Sequence, residues 1–137
     1  MPIVYMLMPV EVEGVVEHKV INGYYGNTCE SIFNRPYPDG PWILAESSDV
    51  EKLFSQEDRN LYINNSLKEL LERKYSRVDY YVGIRLISDD PANDAQEGDT
   101  VTYFVSMEDF NKIKIGDTIE CKISRYRFAR IDKITVL

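Results

Sequence analysis

A chain of 137 residues, 44% hydrophobic and 28% charged, has the size and composition of one globular domain, and at roughly 150 residues about 68–70% of the unfolded surface is buried on folding, enough for a core without staples. This argues against disordered, fibrous and membrane-embedded classes. The formal net charge of -7 sets the averaged field against phosphate backbones and anionic lipid alike, although a local basic stripe still acts within a Debye length of about 8–10 Å.

The opening apolar run is interrupted by Pro2 and Pro9 and followed at once by Glu11 and Glu13, unlike a signal peptide. Cys29 and Cys121 form no C-x-x-C pair and no disulfide ladder. Both features point to a cytoplasmic protein with reduced thiols. From Val10 to Ile21, Val10, Val12, Val16, His18 and Val20 alternate with Glu11, Glu13, Val15, Glu17 and Lys19, the pattern of a half-buried strand. Gly14 is the expected site of a bulge, and Asn22-Gly23 of a hairpin turn from which Tyr24 and Tyr25 begin the return.

The stretch NRPYPDGPW, from Asn34 to Trp42, holds three prolines and reads as an exposed loop carrying Arg35, Tyr37 and Trp42. Capping boxes are expected at Ser48 with Glu51 and at Ser66 with Glu69. They start helices whose stripes, Val50, Leu53 and Phe54, then Leu67, Leu70, Leu71 and Tyr75, pack on the core. After Ser76 the period becomes two, with Val78, Tyr80, Val82, Ile84 and Leu86 on one face of a long strand.

The polar segment SDDPANDAQEGD, from Ser88 to Asp99, reads as a solvated loop, after which Val101, Tyr103 and Val105 restore alternation. A helical turn begins at Ser106 to Asp109, and further strands fit Thr118 to Ser124 and Tyr126 to Val136. With no linker between the halves, residues 1–137 are expected to form one α+β domain. Its architecture is an antiparallel, partly closed small β-barrel with one or two helices from the middle of the chain packed on it.

Tyr103 to Ile123, YFVSMEDFNKIKIGDTIECKI, with Arg130-Ile131 beyond it, resembles the closing strands of S1-like and other OB-type nucleic-acid modules. Val105-Ser106, Phe110 and Gly116-Asp117 resemble a pattern in uncharacterised bacterial β-barrel domains. The resemblance covers about a third of the chain and implies an OB-like barrel. Physically, Gly116 supplies a positive φ and Asp117 hydrogen-bonds the turn.

Three readings of function follow. A non-catalytic protein-interaction module would use Arg35, Tyr37 and Trp42, aromatics and a cation on an exposed loop, with another protein as partner. A nucleic-acid binder would use the basic segment Lys122, Arg125, Tyr126, Arg127, Phe128 and Arg130, although in a strand Arg125 and Arg127 fall on one face and Tyr126 and Phe128 on the other. The third reading is an acidic inhibitor that imitates nucleic acid.

No cofactor, metal or membrane is expected. Asp89, Asp90, Asp94, Glu97 and Asp99 lack the spacing of a calcium loop, and a zinc site would need His18, Cys29, Cys121 and a carboxylate to converge. With one histidine, and no P-loop, H-E-x-x-H or G-x-S-x-G motif, no catalysis is expected either. The acidity is uneven, -5 before Arg77 and -2 from Arg77 onward, together the -7 of the chain.

Overall fold

The computed structural model describes residues 9–36, 62–124 and 129–137, with only the backbone of 30–36. Eight elements follow in chain order: β1 (Val10–Tyr25), β2 (Thr28–Pro36), α1 (Asn65–Lys74), β3 (Arg77–Leu86), β4 (Thr100–Val105), α2 (Met107–Lys112), β5 (Thr118–Ile123) and β6 (Ile131–Val136). The six strands form a single sheet in the order β4-β3-β1-β5-β6, with β2 added to β1, and every ladder is antiparallel. The fold is α+β.

Long β1 organises the sheet. Gly14 and Val15 pair with both β3 and β5, and His18 to Tyr24 with both β2 and β3, so β3 holds one edge while β5 and β2 share the other. The far ends meet at one parallel bridge, Phe104 to Arg130, where the Phe104 N–H donates to the Ala129 carbonyl at 2.7 Å. Among the described residues no ladder continues from it, so the sheet is not closed.

The face assignment of β1 needs correction, because the bulge lies between Val16 and His18, not at Gly14. Glu17 is the extra residue opposite β3, and alternation resumes with inverted phase. Lys19, Ile21 and Gly23 therefore face the core, while His18 and Val20 do not. Strand β1 also runs through Asn22-Gly23. The hairpin turns at Gly26-Asn27, where Gly26 has φ 57° and Tyr25 pairs with Thr28.

Lys19, 0% exposed, satisfies the end of α2. Its ammonium donates to the carbonyls of Phe110 at 2.6 Å and Ile113 at 2.8 Å, groups left without helical donors, and stands 3.9 Å above the Phe110 ring. Phe110 in turn meets Tyr80 at 5.3 Å between centroids. Around them Val12, Val16, Ile21, Val82, Ile84, Leu86, Tyr103, Ile119, Ile123 and Ile134 fill one core.

Helix α1 is capped by Asn64, whose side chain accepts from the Leu67 N–H, rather than by Ser66 two residues later. Leu67, Leu71 and Tyr75 reach the core; Leu70 stays 37% exposed. For α2 the expected cap is present, with Ser106 Oγ accepting from Asp109 N at 3.1 Å. Gly116 has φ 100°, and Asp117 accepts from Lys114 N at 3.0 Å, as the Gly-Asp turn requires. The expected helix at Ser48 to Phe54 lies outside the described residues.

Candidate nucleic-acid interface

The outward phase of three neighbouring strands carries aromatic rings among its polar and charged residues. Cross-strand register sets Tyr24 opposite Arg77, Val20 opposite Tyr81, and Tyr81 opposite Phe104. Opposed residues share a face, so Tyr24, Tyr81 and Phe104 all stand on the side away from the core. All three are half-buried. Tyr81 and Phe104 meet edge to face at 5.6 Å, and the Tyr81 hydroxyl donates to Asp79 Oδ2 at 3.3 Å.

A guanidinium lies at each end of the row. Arg77 sits 4.1 Å from the Tyr24 centroid and Arg130 4.8 Å from the Phe104 centroid. The Tyr24 hydroxyl and then the Asp79 carboxylate push the exposed Arg77 further into its charged form. Burial, then Tyr24 and Asp79, push the Tyr81 phenol up, so it stays neutral and available for stacking at physiological pH.

The next row holds His18, Gly83 and Thr102. A Cβ on Gly83 would come within 1.9–2.2 Å of the imidazole, so the ring lies directly on bare glycine backbone. His18 Nε2 and Thr102 Oγ1 are 3.3 Å apart. Burial lowers the imidazole pKa, with Glu17 opposing. Beyond it, Glu17 accepts from Thr100 Oγ1 at 3.1 Å and lies 3.6 Å from Arg85 Nε.

Of the sequence-predicted nucleic-acid residues, Arg130 joins this face. Lys122, on β5, does not, since it pairs with Glu11 of β1 and Lys133 of β6, with β1 and β3 between it and β4. Arg125, Tyr126, Arg127 and Phe128 lie outside the described residues. So do Tyr37 and Trp42 of the protein-interaction reading, while Arg35 belongs to β2, its backbone opposite Lys19.

The acidic loop is not simply solvated. Asp89 Oδ1 accepts from Glu97 N and Asp99 Oδ2 from Gln96 N, each at 2.9 Å. Asp90 is 0% exposed and accepts from Tyr103 OH at 2.6 Å, Asn93 Nδ2 at 2.7 Å and Ala92 N at 3.0 Å. These bonds shape turns, and among the described residues no group of three His, Cys, Asp or Glu could hold a metal ion. His18, Cys29 and Cys121 do not converge. His18 is on the outer face, Cys121 is in the core with burial and then Asp109 pushing its thiol up to about 12, and Cys29 is exposed at the start of β2.

Two grooves flank α2. One of about 430 Å³ is lined by Leu71, Tyr75, Arg77, Tyr80 and Met107, the other of about 470 Å³ by Tyr62, Asn64, Met107 and Asn111. No helix among the described residues is long and apolar enough to cross a membrane. Comparison with family models, curated proteins and solved structures finds no match to this chain.

Sequence reasoning missed Tyr24, Arg77, Tyr81 and Phe104. Their signal was present: Tyr81 and Phe104 occupy the outward phase of two amphipathic strands, where polar residues are the norm.

Proposed function

We propose that this protein binds single-stranded nucleic acid, without reading base sequence, on the outer face of β1, β3 and β4. Tyr24, Tyr81 and Phe104 stack bases, and Arg77 and Arg130 contact phosphates. The carrying observation is the row of half-buried rings with a guanidinium at either end, 4.1 and 4.8 Å from the terminal rings. Sequence-tolerant strand binding uses this combination, since every base has a π-face and each stacked base contributes about 1–3 kcal/mol.

On this reading β1, β3, β4, β5 and β6 make a partly open Greek-key barrel, with β2 added along β1. The Phe104 to Arg130 bridge between its ends supports that view. In five-stranded barrels of this kind the second and third strands offer the binding face, and here those are β3 and β4.

The test is fluorescence anisotropy with a labelled oligothymidylate of about twelve nucleotides, within the site size of such barrels. Tyr81→Ala and Phe104→Ala should each weaken binding roughly 5- to 150-fold, the equivalent of one lost stack. With two phosphate contacts, log K should fall against log salt with a slope of about -1.4. Absence of binding by the unaltered protein at low ionic strength refutes the proposal.

A further inference from the structure

The Arg130 guanidinium lies over the Phe104 ring, 4.8 Å from its centroid. Its Nε is buried and, among the described residues, has no hydrogen-bond partner; the carboxylate of Asp132 lies 3.9 Å away, beyond hydrogen-bond reach. The backbone feeding into it, through Ala129, bears directly on its position. The residue before it, Ala129, has φ 46°, a left-handed conformation that is strained for a non-glycine residue. Such strain persists only where the surroundings fix both flanking peptides.

Both are fixed here. The Ala129 N–H donates to Asn93 Oδ1 at 2.8 Å, and the Ala129 carbonyl accepts from the Phe104 N–H at 2.7 Å. The second bond ties the strained residue to the backbone of the very residue whose ring receives the guanidinium. The first comes from the distant loop between β3 and β4. Asn93 can present only its oxygen to Ala129, because its amide nitrogen donates to Asp90 Oδ2 at 2.7 Å, and Asp90 is itself buried and anchored by Tyr103 and Ala92.

We propose that Asn93, clamped by the buried Asp90 carboxylate, is a positioning residue that seats the Arg130 guanidinium on Phe104 and completes that end of the stacking row. The seating is a property of the free protein; its effect on binding rests on the function proposed above. An acid in a loop resembling a solvated charge cluster thus acts through an amide, a strained alanine and an arginine on the proposed binding face.

Two measurements on the full chain separate the two claims. In proton NMR spectra of the free protein, the Arg130 side-chain methylenes should be shifted upfield by the Phe104 ring. Asn93→Ala should abolish that shift as completely as Phe104→Ala does. Tyr103→Phe also removes a bond to Asp90 but leaves Asn93 on Ala129, so the shift should survive. Asn93→Ser carries the same expectation as Asn93→Ala should the alanine variant not fold.

With the oligothymidylate probe, Asn93→Ala and Arg130→Ala should each reduce the salt slope by about 0.7, the contribution of one phosphate contact to a single strand. Tyr103→Phe should leave the slope unchanged, which a merely destabilising role would not predict. Retention of the upfield shift in Asn93→Ala, or its loss in Tyr103→Phe, overturns the positioning role. Failure of the unaltered protein to bind, with the shifts behaving as stated, overturns the function and leaves the positioning intact.

Discussion

Replacing Gly23 with alanine tests how α1 is joined to the sheet. A Cβ at Gly23 would lie 2.5 Å from Tyr75 Cδ1 and 2.7 Å from Cγ and Cε1, whereas carbon atoms settle at about 3.5–4.0 Å. The ring must withdraw by roughly 1 Å. It has little room, since Tyr75 is 3% exposed, its N–H is bonded to the Leu71 carbonyl at 2.9 Å, and neighbouring Ser76 is bonded through N and Oγ to the Tyr24 carbonyl, both at 2.8 Å. Overpacking of this kind costs about 1–3 kcal/mol, offset by the 0.4–1 kcal/mol that a glycine-to-alanine change returns through the unfolded chain. The expected net loss is about 1–2 kcal/mol. In a Tyr75→Val background the obstacle is gone, and the same substitution should be neutral or slightly stabilising. Urea unfolding followed by circular dichroism, with m-values unchanged, gives the four stabilities of the cycle. An equal cost in both backgrounds would show that the ring does not rest on the glycine.

The thiols should differ sharply in reactivity, because Cys29 is exposed while Cys121 is buried with its pKa pushed up to about 12. An aromatic disulfide reagent at pH 8 should titrate one equivalent quickly and the second only on unfolding; two fast equivalents would contradict the placement of Cys121. His18 should make stability pH-dependent. Burial holds its folded pKa below the ordinary 6.5, so the unfolded chain binds the proton more readily. Its contribution is complete above about 6.5 and is lost as pH falls through the depressed folded value. Urea midpoints at pH 7 and pH 5 should therefore converge more in His18→Gln than in the unaltered protein, and identical pH dependence in both would rule the effect out.

Much of the C-terminal half was legible in sequence because each local signal had one physical solution. Val78 to Leu86 and Val101 to Val105 keep strict alternation, Ser106 caps α2, and Gly116-Asp117 turns the chain as expected. The N-terminal strand was harder. Glu17 and His18 are both compatible with an outward face, and nothing local marks the bulge that places them there together; one extra residue then reverses every later assignment, sending Lys19 inward. Lysine at a core position is contrary to composition rules, and the groups that receive it, the Phe110 and Ile113 carbonyls and the Phe110 ring, lie near the end of a helix remote in sequence. Asn64 and Ser66 are both competent caps, and tertiary packing chooses the one that turns Leu67 and Leu71 inward. The aromatic row was missed for a similar reason. Its rings come from three strands, and Arg77 and Arg130 stand beside them only through register and the bridge at Phe104.

The net charge of -7 bears on how such a face would bind rather than whether it can. Several carboxylates that make up that total are engaged locally: Asp90 is buried, and Asp89 and Asp99 cap backbone amides within their own loop. Both guanidiniums of the row have an acidic neighbour, Asp79 at 3.4 Å from Arg77 and Asp132 at 3.9 Å from Arg130. The Arg77 guanidinium is 64% exposed and open to solvent, so a phosphate can approach it beside the Asp79 carboxylate. Long-range attraction is nonetheless weak for an acidic protein, and two phosphate contacts give a shallow salt slope. Three stacked bases, at about 1–3 kcal/mol each, would then supply most of the affinity, through contacts too short in range for salt to screen. Binding by this face should accordingly persist at ionic strengths that dissociate a predominantly electrostatic complex, with loss of a ring weakening it more than loss of an arginine.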